Sequence, residues 1–218
     1  MSLTSRSALS RVDDESRDLA GPIRQWLTAL CAEPKAHTRF LNTLSLLEHI
    51  GSRKIMASQS EPGHDTLKHL AEEARHAFFF KRAAEKIARR PVDYRACETL
   101  AAESARMYMG RLDAHIAREL SSGASDLIAY LYMSLIVELR AIWFYRIYHG
   151  VLEAQGNAIS LTSVLAEEEL HLDEMFQHLT AIDPDIEAHI RAFCAYEDKR
   201  FRILWTALSF NRISNVAA

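Results

Sequence analysis

At 218 residues, with 49% hydrophobic and 25% charged side chains, the chain holds enough apolar material for one large domain. A formal charge of -3 supplies no global positive field, so nucleic acid is not an expected partner, although net charge leaves RNA open. Only 7 Gly and 5 Pro are present, which favours long helices joined by short loops over a turn-rich sheet.

Taken in chain order, the charged run Arg11, Asp13, Asp14 and Glu15 is unlike a secretory signal. Gly21-Pro22 predicts a break, followed by a short helix over about 23–32 with Pro in its first turn. A long helix is expected over about 34–58, where Phe40, Leu41, Leu44, Leu47, Ile50 and Ile55 recur at helical spacing. Ser60-Glu61-Pro62-Gly63 ends it, and a second long helix covers about 64–89, stopped by Pro91. An additional helix is expected over about 94–120, with Leu100, Met107, Leu112 and Ile116 on one side and Ser121-Ser122-Gly123 closing it. The third and fourth long helices cover about 124–154 and 160–180. A last helix, about 185–210, carries Ile190, Phe193, Ile203, Leu204 and Leu208.

The most apolar stretch runs from 127 to 136 and meets Glu138 and Arg140, which makes it too short for a membrane span. A cytoplasmic protein without a membrane partner is the expectation. Cys31, Cys97 and Cys194 form no CxxC pair, so a thiolate metal site is unsupported and buried free thiols are expected. Lys199, Arg200 and Arg202 are expected on a solvated helix face.

Short loops join the first long helix to the second and the third to the fourth, so each pair should form an antiparallel hairpin, with a long crossover between them. The second and fourth long helices each carry Glu-x-x-His: Glu73-Ala74-Arg75-His76 and Glu168-Glu169-Leu170-His171. Residues three apart share a helix face. Each preceding helix places one glutamate in an apolar stripe, Glu48 beside Leu47 and Glu138 beside Val137. Glu73 follows Glu48 by 25 residues and Glu168 follows Glu138 by 30, so both pairings fall near mid-helix and could meet at one level. Four buried carboxylates without a cation would cost several kcal/mol in desolvation and repulsion. With two imidazoles they suit two divalent ions. The competing reading for any one of the six is a snorkelling or paired side chain, such as Glu138 with Arg75. The register in the fourth helix is open among Glu167, Glu168 and Glu169. His69 and His178, seven residues from His76 and His171, are expected around the site or on the surface.

This motif order and spacing resembles the ferritin-like di-iron carboxylate proteins, over about 34–180. The resemblance implies an all-α, ferritin-like four-helix bundle with a long crossover between its second and third helices. Extra N-terminal, crossover and C-terminal helices (about 23–32, 94–120 and 185–210) complete a single domain over 1–218. It implies that Glu48, Glu73 and His76 bind one metal and Glu138, Glu168 and His171 the other, with Glu73 and Glu168 as bridges and the six acting in catalysis through the metals. The cofactor implied is two iron ions, with manganese or mixed manganese and iron compatible. The activity implied is a non-haem di-iron oxidase or oxygenase that uses dioxygen to oxidise a small organic, apolar substrate. An external electron donor is then needed, and a homodimer is compatible. Alternatives are a ferroxidase or iron-handling protein and a rubrerythrin-like peroxide-reducing protein; the missing thiolate domain and the added helices count against these.

Beside the expected site, Gly51 and Ser52 lie one turn from Glu48 and are small enough to leave a cavity there. Trp143, Phe144, Tyr145 and the run Phe78-Phe79-Phe80 are read as core packing. The oxygenase reading further expects an apolar channel between helices.

Overall fold

Long apolar stripes interrupted by few helix breakers produce helices here and nothing else. The computed structural model describes residues 1–58, 61–120 and 126–213. Among these residues are eight α-helices and one 3-10 turn, and no strand. The helices are α1 (Leu3–Glu15), α2 (Arg17–Cys31), α3 (Pro34–Ser58), α4 (His64–Ala88), α5 (Ala102–Leu120), α6 (Asp126–Ala154), α7 (Thr162–Ile182) and α8 (Ile186–Ile213). Ser60 and the Ser121-Ser122-Gly123 break lie outside the described residues, as does the expected start of the third long helix at 124.

The chain forms two compact units, one of Met1–Gln25 with Leu112–Lys199, the other of Trp26–Arg111 with Arg200–Ala218. The second is built on the α3–α4 hairpin. Pro34 opens α3 where a missing N–H costs nothing, and Glu33 caps the turn, its carboxylate accepting from the Ala36 amide at 3.1 Å. Phe40, Leu41, Leu44 and Ile55 are buried. Trp26 packs edge-on against both Phe40 and Trp205, with ring centroids 5.2 and 5.3 Å apart. Helix α4 ends on Arg89 at φ 55°, a left-handed cap filled by a residue with a Cβ.

The polar face of α3 grips the segment after α4. Asn42 Nδ2 donates to the Asp93 and Glu98 carbonyls at 2.6 and 2.8 Å, while its Oδ1 accepts from Lys81 at 2.8 Å. Thr43 Oγ1 lies 3.0 Å from the Leu100 carbonyl and 2.7 Å from its amide. Arg39 donates to the Thr99 carbonyl at 2.7 Å. These bonds hold residues 90–101 in an irregular path with one 3-10 turn, Ala96–Glu98, and Ala101 at φ 51°. The helix expected from 94 therefore begins at Ala102. Its stripe also differs from expectation, because Met107 is exposed while Leu100, Leu112 and Ile116 are buried; in α8, Ile203 is likewise exposed.

In the first unit, α6 and α7 form the hairpin and α1 packs on both. Gly156, at φ 61°, closes α6 with the Asn157 amide bonded to the Leu152 carbonyl at 2.9 Å, the pattern for which glycine at C′ is preferred. Helix α1 has no counterpart among the expected helices; its stripe Ala8, Leu9 and Val12 is buried but short. Helix α2 runs through the expected Gly21-Pro22 break. Both residues are exposed, so the carbonyl that loses its amide partner to Pro22 faces solvent and can be hydrated.

Helix α6 is long and apolar enough to cross a membrane by length and composition, with a window at mean hydropathy 1.6 that is 61% buried. The run counted to 136 understated it, since Glu138 and Arg140 do not interrupt the helix. Its burial is that of a core helix. Arg140 is 5% exposed, and Glu197, 2% exposed, accepts from its Nε at 3.0 Å and its Nη2 at 2.7 Å. Its Nη1 donates to Ser16 Oγ at 2.7 Å. A buried guanidinium held bidentately keeps its charge compensated.

Candidate metal centre

Each hairpin buries its own triad of the residues singled out from sequence. On α3 and α4, Glu48, Glu73 and His76 are 8%, 5% and 1% exposed, and each offers a donor atom within 4.8 Å of the others. The carboxylate of Glu73 also meets a fourth group. His69 Nε2 lies 3.6 Å from Glu73 Oε1, and His76 Nδ1 lies 3.8 Å from the same oxygen. Burial would raise the Glu73 carboxyl, but the two imidazoles outweigh it and hold the group well below the usual carboxylate range. Gly51 shapes the space: a Cβ there would come within 3.3 Å of Glu73 Oε2. The absent side chain thus leaves room for a carboxylate, where the sequence suggested a cavity. Ser52 is buried and donates to the His49 carbonyl at 3.0 Å. His49, next to Glu48, stacks on Tyr94 with centroids 5.7 Å apart, which ties the α3 face to the 90–101 segment.

On α6 and α7, Glu138, Glu168 and His171 are 5%, 1% and 1% exposed. With Glu168 ionised, His171 Nδ1–H donates to its Oε2 at 3.0 Å, and Glu138 Oε1 lies 3.9 Å from the same nitrogen. The helix register left open among three glutamates resolves by burial: Glu168 is inside, whereas Glu167 and Glu169 are half-buried and Glu169 takes Arg146 at 2.7 Å. Arg75, the arginine weighed as a partner for Glu138, is exposed and lies 3.9 Å from Glu72.

The two outlying histidines part company. His178 is exposed, as a surface residue would be, but His69 is buried against Glu73. Sequence reasoning set His69 aside; the signal that could have found it is the spacing His69-x-x-x-Glu73-x-x-His76, which puts all three on one face.

Of the aromatics near the expected site, Trp143, Phe144, Tyr145 and Phe80 are buried, while Phe78 is 60% exposed. Trp143 donates to Asp13 at 3.3 Å and lies under the Arg140 guanidinium, 5.0 Å from its ring centre, so it is a packing residue. A cleft of about 620 Å³ in the first unit is lined by Leu9, Asp13, Arg24, Trp143, Arg146 and Glu169 among others, and by none of the six.

The donor sets are carboxylate and imidazole only. Cys97 is exposed, Cys31 is half-buried and Cys194 is buried, and no cysteine belongs to a potential metal-holding group among the described residues. Burial raises the Cys31 and Cys194 thiols to about 11 and about 12, which makes both poor thiolate donors. Buried oxygen and imidazole donors converging on one carboxylate, with a glycine clearing space for it, could hold a metal ion. No family model, curated protein or solved structure matches this chain.

Proposed function

We propose that the protein is a ferritin-like, di-iron carboxylate oxidase or oxygenase, in which the α3–α4 and α6–α7 triads each serve one ion. The observation that carries this reading is the repetition: two hairpins each bury two glutamates and one histidine in the same chain order, with no cysteine among them. One such triad could be a buried polar network. Two, each expensive to leave uncharged by a cation, favour metal binding.

Bound iron would supply the redox chemistry by which dioxygen oxidises an organic substrate. The residues of the chain do the rest. Glu48, Glu73 and His76 would hold one ion, and Glu138, Glu168 and His171 would hold the other. Gly51 leaves room for the Glu73 carboxylate, which a Cβ at that position would crowd at 3.3 Å. With Glu168 ionised, the bond from His171 Nδ1–H to its Oε2 at 3.0 Å fixes the ring's orientation. Burial of all six excludes water. The substrate is proposed to be small and apolar, and the electrons to come from an external donor.

Metal analysis of protein grown with iron or manganese tests the reading. About two ions per chain are expected, one for each triad. Glu73→Ala and Glu168→Ala should each lose metal while keeping their helicity, measured by circular dichroism. Unchanged metal content in both variants, or none in the wild type, would sink the assignment.

A further inference from the structure

The proposed centre uses three donors from the α3–α4 hairpin, yet α4 presents a fourth. His69 precedes Glu73 by four residues and His76 by seven, so all three project from one face of the helix. It is 7% exposed, in contrast to His178. Its Nε2 faces Glu73 Oε1 at 3.6 Å, while His76 Nδ1 faces that oxygen at 3.8 Å from the other side along the helix.

A direct imidazole–carboxylate hydrogen bond would bring the atoms to about 2.7–2.9 Å. Both distances are longer, and nearer to the roughly 3.5 Å that separates two ligands sharing one ion at bond lengths of about 2.1 Å. On α7 the position seven before the Glu-x-x-His histidine is Val164, which is buried and has no donor atom. Helix α4 therefore differs from α7 in chemistry despite sharing its motif.

We infer that His69 is a metal ligand, a seventh donor beside the six expected from sequence, so that α4 supplies two imidazoles flanking Glu73. This inference rests on the metal-binding reading above. An imidazole adds a nitrogen donor without adding charge, and it makes the two ions unequal. The wild-type protein should then bind metal in two distinguishable steps, the better-supplied ion first.

The test uses Mn(II) alone as the probe, titrated into metal-free full-length protein, with pulsed electron paramagnetic resonance to count coordinated histidine nitrogens. His69→Leu should weaken one of the two ions by about tenfold or more, because loss of even an outer-sphere partner commonly costs 10- to 100-fold. It should also show one fewer coordinated nitrogen. His69→Gln guards against a folding defect in the leucine variant. Glutamine can still hold Glu73 by a hydrogen bond, so a positioning role would survive it, whereas a ligand nitrogen would be lost. Two ions in the wild type with the full nitrogen count kept in His69→Gln would overturn this inference alone. Wild-type protein without metal would overturn it together with the proposed function.

Discussion

The α3–α4 and α6–α7 hairpins repeat one motif and anchor it by opposite means. In the α3 hairpin the polar residues around the triad are mostly neutral and bond to backbone: Asn42, Thr43 and Ser45 reach the carbonyls of Asp93, Glu98, Leu100 and Ala77. In the α6 hairpin the neighbouring anchor is ionic, the Arg140–Glu197 pair with Ser16 and Asp198 around it. The triads differ as well: one has a second imidazole against its Glu-x-x-His glutamate, the other a valine at the matching position. A repeated pattern of Glu and His therefore does not make equivalent halves, because the side chains one or two turns away set the electrostatics of each.

The largest effect should come from breaking the ionic anchor. Arg140→Leu strands the Glu197 carboxylate in the interior and should cost about 3–5 kcal/mol, the usual penalty for one orphaned partner of a buried pair. The Arg140→Leu/Glu197→Leu double variant should recover most of that loss. Denaturant melts of the three proteins check this; a single variant as stable as wild type would show that the pair is not the anchor.

A smaller loss is expected on the neutral side. Asn42→Leu leaves the Asp93 and Glu98 carbonyls without their amide donor, at about 1–3 kcal/mol. Hydrogen exchange should show the loss concentrated in residues 90–101. Uniform destabilisation would mean that the segment is held by something other than α3.

The smallest and most condition-dependent difference is in acid. Burial lowers His37, which is 2% exposed, to about 4 from its ordinary 6.5. Above pH 6.5 the ring is neutral in both states and contributes no pH dependence. Between pH 6.5 and about 4 the unfolded chain takes up a proton that the folded chain refuses, so stability falls as pH falls, by at most about 1.4 kcal/mol per pH unit from this group. His37→Gln should be less acid-sensitive than wild type across that window, in melts at pH 7 and pH 5. Parallel losses in the two proteins would remove His37 as the cause.

Much of this architecture was legible along the chain because it is written in local periods. The bounds expected for the first long helix, 34–58, coincide with α3, and those of the other long helices differ by about two residues. Glu73, His76, Glu168 and His171 could be singled out by the repeated Glu-x-x-His motif, and Glu48 and Glu138 because a glutamate inside an apolar stripe is a local contradiction. Both such contradictions proved to be buried side chains. The errors were also local in origin. Pro22 reads as a breaker unless its exposed position is known, and 94–101 reads as helix unless Asn42, Thr43 and Arg39 are known to take its backbone.

Helical periodicity and the spacing of Glu and His were thus properties of the sequence, since both depend on residues within a few turns of one another. Three outcomes needed the folded chain: the choice of Glu168 over its two neighbours, the burial of His69 but not His178, and the pairing of Arg140 with Glu197. In the first two cases the competing residues are alike in type. What separates them is which side faces the packed interior, where an unpaired charge is costly and a paired or ligating one is kept.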